Sequence, residues 1–231
     1  MKRLFYIIIF CGIFNPIFSQ EDYKIQISFY KVDETKRAEY ESVMTDVFGK
    51  IMTQRVKEGC MRNWIFRRVI PNSSMAEQFT HMTIDVLNPG SDNYACGEFE
   101  NIRKKVFPNQ SEKIFNILRD IRNSSRNVIY RTKLSRVSGF NKIGGKAPQF
   151  AMFCITKTKN GNYKKRHQDE EWINAAKKSF GHDAWYAFER VDFVNGTKEW
   201  NYLTIDAYAD ANDIYTGNKP FPSKLNEIIR K

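Results

Sequence analysis

The sequence predicts an α+β fold assembled from two tandem βαββ units. Three observations carry this. Alternating strands flank a long amphipathic helix, that order of elements occurs twice, and matching residues recur in both copies at near-constant offset.

The chain opens MKRLFYIIIFCGIFNPIFSQ. Lys2 and Arg3 form a basic start, and Leu4 to Phe14 is apolar apart from Gly12, too short to span a bilayer. Ile17 and Ser19 suit the −3 and −1 positions of a cleavage before Gln20, so residues 1–19 are expected to be a signal peptide and the mature protein to be periplasmic or extracellular. Cys11 lacks the small residues of a lipobox, and no later stretch reads as a transmembrane helix.

In the first copy Tyr23 to Val32 alternates, with Ile25, Ile27 and Phe29 on one face, as in a half-buried strand. From Glu39 to Glu58, the residues Tyr40, Val43, Met44, Val47, Phe48, Ile51 and Met52 form one helical stripe. Gly59 is the expected helix stop, because glycine tolerates the left-handed conformation. Arg62 to Ile70 and Phe79 to Leu87 read as strands around the turn Pro71-Asn72-Ser73-Ser74. A further helix is expected over Asn109 to Asn123, with Pro108 in its first turn, followed by a fourth strand at Val128 to Lys133. In the second copy the corresponding pieces are Gln149 to Lys157, Tyr163 to Phe180, Ala184 to Phe193 and Trp200 to Tyr208, with Asn195-Gly196 as a hairpin signal. Residues 20–138 and 149–231 are therefore read as two units. Residues 139–148 (GFNKIGGKAP) are the linker, and the second unit is expected to lack its last strand.

The repeat lies in particular residues. Phe66-Arg67-Arg68-Val69 matches Phe188-Glu189-Arg190-Val191, which sets Trp64 against Tyr186. Thr83-Ile84-Asp85 matches Thr204-Ile205-Asp206, which sets His81 against Tyr202. Tyr94 matches Tyr215, and Phe107-Pro108 matches Phe221-Pro222. The order β-α-β-β-α-β is ferredoxin-like. With the long helix ending in Gly before a Trp- or Tyr-bearing strand, each copy resembles the dimeric α/β-barrel superfamily, which contains the antibiotic-biosynthesis-type monooxygenases. The tandem copies behind an export signal also look like uncharacterised secreted bacterial proteins. The resemblance implies antiparallel sheets packed into an α/β barrel, closed within one chain or in a homodimer. It also implies a cavity for an apolar or aromatic small molecule. The superfamily hosts oxygenases, haem proteins and proteins without known chemistry, so the fold alone assigns no activity.

Strand parity supplies the site candidates. Phe79, His81, Thr83 and Asp85 share one face of the third strand, and Thr80, Met82, Ile84 and Val86 share the other. The aliphatic face is expected under the helices and the mixed face on the cavity wall. Trp64, His81, Asp85, Tyr186 and Tyr202 are therefore the ligand-cavity candidates. Arg68 and Arg190 recur inside strands and would need anionic partners, for which Asp85 and Asp206 are the natural choice. His81 is the one candidate that titrates near neutral pH, and it is weighed against the plain reading of a hydrogen-bonded core histidine. No metal-ligand spacing occurs, so no metal is expected. No nucleophile elbow, phosphate loop or carboxylate pair occurs either, so catalysis is left open. No cofactor is predicted, and haem enters only through the resemblance. The formal charge of +11 is spread over the chain, and its short basic clusters fall on expected helix surfaces. With export, this argues against a nucleic-acid partner. Cys60, Cys96 and Cys154 are odd in number, so no disulfide scaffold is indicated, and Cys154 is read as a small core residue. Asn72, Asn109, Asn123 and Asn195 each begin a sequon.

Overall fold

The computed structural model describes residues 23–69, 79–91, 96, 98–142, 150–158, 162–179, 182–192 and 200–209. The signal-peptide reading, both turn signals at 71–74 and 195–196, most of the linker, and the matches at Tyr94, Tyr215 and Phe221 lie outside these residues.

The strands are β1 Lys24–Val32, β2 Asn63–Arg68, β3 His81–Val86, β4 Arg126–Asn141, β5 Phe150–Thr156, β6 Ala184–Arg190 and β7 Tyr202–Tyr208. They form one antiparallel seven-stranded sheet in the order β2-β3-β1-β4-β6-β7-β5. The first three strands lie in the order second, third, first, and so do β5, β6 and β7. β4 joins the two halves. It runs for 16 residues, far beyond the short strand expected at Val128 to Lys133. Its first part pairs with β1 and its last part, Leu134 to Asn141, pairs with β6. Gly139 to Asn141, read as the start of the linker, are therefore strand. The glycine is needed there for close approach. A Cβ on Gly139 would lie 2.5 Å from the Trp185 carbonyl oxygen and 3.0 Å from Tyr186 Cα.

The sheet curls so that both halves contribute one face to a shared core. Ile25, Ile27, Phe29, Met82, Ile84 and Leu134 meet Phe188, Trp200, Leu203 and Ile205 there. The opposite face is covered by helices. Over the first half lie α1 Arg37–Ser42, a π-helical turn Val43–Phe48, α2 Gly49–Lys57, α3 Phe99–Val106 and α4 Glu112–Ser124. Tyr40, Val43, Met44, Phe48 and Ile51 of the expected stripe, with Ile102 and Phe115, pack onto Tyr30 and Val32 of β1. Gly59 ends this run of helix at φ 72°. α3 had no counterpart among the expected elements, and α4 starts at Glu112 behind a Ser111 cap rather than at Asn109. Over the second half, α5 Asn162–Gln168 and α6 Glu170–Ser179 replace one continuous helix, and Trp172 and Ala176 meet Val137, Phe140, Trp185 and Ala187.

Cys60 and Cys96 form a disulfide that ties the segment before α3 to the end of α2. This corrects the reading from cysteine number. Three cysteines can leave one over, and Cys154 is that free thiol. Lys105 of α3 also reaches the Glu58 carboxylate at 2.9 Å. The outcome for the β4–β6 seam is specific. Gly139→Ala should lower stability by about 1–3 kcal/mol through overpacking against backbone that cannot retreat, read as a shift in the midpoint of a urea unfolding curve.

Candidate functional site

His81 is fully buried, and both of its ring nitrogens are engaged. Nδ1 lies 2.9 Å from Thr80 Oγ1, and Nε2 lies 2.9 Å from Glu41 Oε1 on α1. The Glu41 carboxylate can only accept, and Thr80 Oγ1, which accepts from the Val32 amide at 3.0 Å, has its own proton to give to Nδ1. Nε2 therefore carries the imidazole proton and donates to the Glu41 carboxylate. The ring stacks on Phe66 at 5.6 Å and meets Tyr40 edge-on at 5.4 Å. Burial holds its pKa below the usual histidine value, against the opposing pull of Glu41. Arg68 Nε stands 3.9 Å from the same Glu41 oxygen. Beside this group, the Tyr30 hydroxyl and Thr83 Oγ1 lie 3.1 Å apart.

Thr80 links the buried group to a cleft of about 340 Å³. The cleft lies between the end of β1, the start of α1 and the corner from Ser124 to Asn127 that joins α4 to β4. Lys31, Arg37 and Arg126 bring positive charge to its wall, and Asp33 and Glu34 bring negative charge. Both acids have local partners. Asp33 accepts from the Thr35 amide and hydroxyl at 2.9 and 2.8 Å, and Glu34 pairs with Arg37 Nη2 at 3.3 Å. Arg126 is held over the Tyr30 ring at 4.3 Å, with Nη1 3.5 Å from the Tyr40 hydroxyl. Arg37 Nε is buried and has no acceptor among the described residues.

The five cavity candidates do not converge. Trp64, His81 and Asp85 do share a face, but it faces the helices. Trp64 stacks on Phe66 at 6.2 Å, and a Cβ on Gly49 would sit 3.7 Å from its ring. Asp85 is 6% exposed and accepts from Gln26 Nε2 at 3.4 Å. Tyr202 occupies the equivalent helix-facing position in the second half, stacked on Tyr163 at 4.2 Å. Tyr186 packs on the inner core. The assignment of faces is thus the reverse of the expected one, with Met82 and Ile84 inside and His81, Thr83 and Asp85 outside under helices. Trp64 stands opposite Asp85, and Trp185 stands opposite Asp206. Trp185, not Tyr186, is therefore the counterpart of Trp64, one residue away from the match through Phe-x-Arg-Val. The expected ion pairs are replaced as well. Arg190 is bonded to Asp192 at 2.9 Å and lies between the rings of Tyr130 and Trp200 on the inner side. Glu41, Thr80 and Arg37 were not singled out in the sequence. Only their place beside the helix start, once paired with β3, marks them.

For the haem implied by the resemblance, neither His81 nor His167 is placed to ligate iron. His81 would have to break a hydrogen bond and leave its stack to reach iron. His167 is stacked on Tyr163 at 3.9 Å, with Nδ1 donating to the Tyr163 carbonyl at 2.7 Å. Among the described residues no cluster of three metal-ligating side chains occurs.

No family model matches the chain, and no curated protein matches it. Among solved structures it is similar to a candidate monooxygenase from Fusobacterium nucleatum subsp. nucleatum, at 13% identity over 92% of this chain and 88% of that one, with a TM-score of 0.48. A candidate monooxygenase from Lactobacillus acidophilus gives 13% identity, 90% and 86% coverage and a TM-score of 0.46. A chlorite dismutase from Candidatus Nitrospira defluvii gives 9% identity, 85% and 80% coverage and a TM-score of 0.43. The strand order and the shared inner core are those of an α/β barrel made of two ferredoxin-like halves. What the site does follows from its own residues.

His81→Phe keeps the stack and removes both hydrogen bonds. At pH 7.5 it should cost about 2 kcal/mol, because Glu41 and Thr80 lose their partner. The folded-state pKa of His81 lies below the unfolded value, so wild-type stability falls as pH drops below about 6.5. The variant lacks this titration, and the gap between the two should narrow in acid. Urea unfolding at pH 7.5 and pH 5.5 measures it.

Proposed function

We propose that the protein is an exported small-molecule-binding α/β barrel without catalytic chemistry of its own. Its ligand carries an anionic group, a carboxylate or a phosphate, that enters the cleft beside Thr80. The observation that carries this is the Arg37 side chain. Its buried Nε has no acceptor among the described residues, while its Nη2 is held by Glu34. A buried donor left without an acceptor costs about 1–3 kcal/mol, so such groups call for an explanation, and a ligand oxygen supplies one. Arg126 and Lys31 add charge of the same sign on the cleft wall. The absence of catalysis is supported by His81, whose nitrogens are both committed to the fold. Export is supported by the basic and apolar start of the chain and by the Cys60–Cys96 disulfide, a bond typical of oxidising compartments.

The test is thermal melting against a panel of mono- and dicarboxylates, aromatic acids and inorganic phosphate. Ligand at a hundredfold excess over Kd should add about 2.7 kcal/mol of stability. Arg37→Ala should weaken binding at least tenfold, and Arg37→Lys should fail to restore it because the guanidinium fork is lost. A flat response to the whole panel removes the binding reading. Oxygen uptake with a quinol or haem substrate would replace it with an oxygenase.

A further inference from the structure

Asp85 and Asp206 occupy the same position on the helix-facing side of the two halves, yet their surroundings differ. Opposite Asp85 stands Gln26, whose side-chain amide reaches it. Opposite Asp206 stands Met152, whose thioether donates nothing. Asp206 is 8% exposed, and among the described residues no cationic side chain pairs with it. Its hydrogen-bond donor is the free thiol of Cys154, Sγ to Oδ2 3.7 Å. α5 closes this region with Tyr163, which stacks on Tyr202 and His167, and Trp185 lies across the strand from Asp206.

We propose that Asp206 is a proton-operated latch for the second half. As the neutral acid it lets α5 seat on β6 and β7, and as the carboxylate it loosens α5. The reason is desolvation. A carboxylate buried beside rings and a thiol, without a cation, is held in an environment that favours its neutral form. Burial pushes the Asp206 pKa up to about 6, with the Cys154 bond pulling weakly the other way. A pKa raised by folding means that this contribution to stability is complete in acid and is lost as pH rises through about 6.

The other titratable groups around Asp206 do not share this behaviour. From β5, Cys154 has its pKa pushed up by burial. From α5, burial pushes the Tyr163 hydroxyl up, so neither it nor the thiol ionises between pH 5 and 7.5. Tyr202 and Tyr208 of β7 are phenols. Lys164 and Glu189 are paired with each other at 2.9 Å. His167 of α5 and His182 beside Tyr208 are both held below the usual histidine value by burial. They weaken the fold in acid rather than at neutral pH, so the comparison must be made against an Asp206 variant. The latch lies in the second half, apart from the Arg37 cleft, and stands or falls independently of ligand binding there.

The experiment is hydrogen exchange by mass spectrometry on the full chain at pH 5 and pH 7.5, corrected for the intrinsic pH dependence of amide exchange. Protection of residues 162–179 should fall at least tenfold between the two pH values in the wild type. It should change less than twofold in Asp206→Asn, and α4 in the first half should respond equally in both proteins. A wild-type ratio near one, or an Asp206→Asn ratio equal to the wild-type ratio, overturns the latch. Should Asp206→Asn not fold, carboxyl carbon NMR titration of wild-type Asp206 decides. A midpoint near 6 supports the proposal, and a midpoint below 4.5 overturns it.

Discussion

β4 is the constraint on which the other elements depend. One strand hydrogen-bonds along β1 with its first part and along β6 with its last, and Leu134 and Ser135 pair on both sides at once. Leu134 is fully buried on the inner face and sets the parity of everything that pairs with it. Ile25 of β1 faces it directly and must also point inward. On the other side Arg190 faces Leu134, so Phe188 and Tyr186 point inward with it. An inward Arg190 cannot meet Asp206 on the outer face, whatever the two residues offer chemically. Register shifts at Phe29/Tyr30 and Arg136/Ser138 let β4 follow both neighbours as the sheet curls.

This constraint explains which parts of the fold were legible. Strand alternation told which residues share a face, and those groupings hold over Ile25 to Phe29 and His81 to Val86, but Phe79, grouped with His81, packs instead on the inner core with Met82 and Ile84. Alternation did not tell which face is inner, because both faces are covered and both carry apolar side chains. The polar character of His81, Thr83 and Asp85 suggested a cavity wall. Instead their groups are met by Glu41, Thr80, Tyr30 and Gln26, contacts that join residues up to 59 positions apart. No local pattern encodes such pairs. The match through Phe-x-Arg-Val was shifted by one residue relative to the strand pairing, and one residue is enough to exchange faces. The disulfide escaped for a related reason. Cys60 and Cys96 are 36 residues apart, and it is the packing of α3 on α2 that brings them together.

The two halves treat buried polar groups differently although their backbones follow the same plan. On the first half each helix-facing polar side chain of β3 finds a partner of matching donor or acceptor character. The second half has Tyr202 where the first has His81, and Met152 where it has Gln26. Phenol rings then replace the hydrogen-bonded imidazole, and the carboxyl of Asp206 is left to a thiol. Burying a polar group without a good partner costs several kcal/mol, and the same group well paired costs little. Of the two equivalent strands, β3 is therefore the better satisfied and β7 the more easily disturbed, under a covering of two short helices.

That asymmetry bears on where ligand chemistry can reside. A binding site must hold its side chains in place before the ligand arrives, because ordering them on binding would subtract from affinity. Arg37 and Arg126 meet this condition. Glu34 fixes one end of the Arg37 guanidinium, and the Tyr30 ring and Tyr40 hydroxyl fix Arg126. Tyr30 and Tyr40 are themselves almost fully buried, and Tyr40 packs against the His81 that Glu41 and Thr80 hold. The imidazole that looked most like a reactive group is thus the anchor beneath the cleft. Through Tyr40 its packing supports the Arg126 guanidinium on the cleft wall.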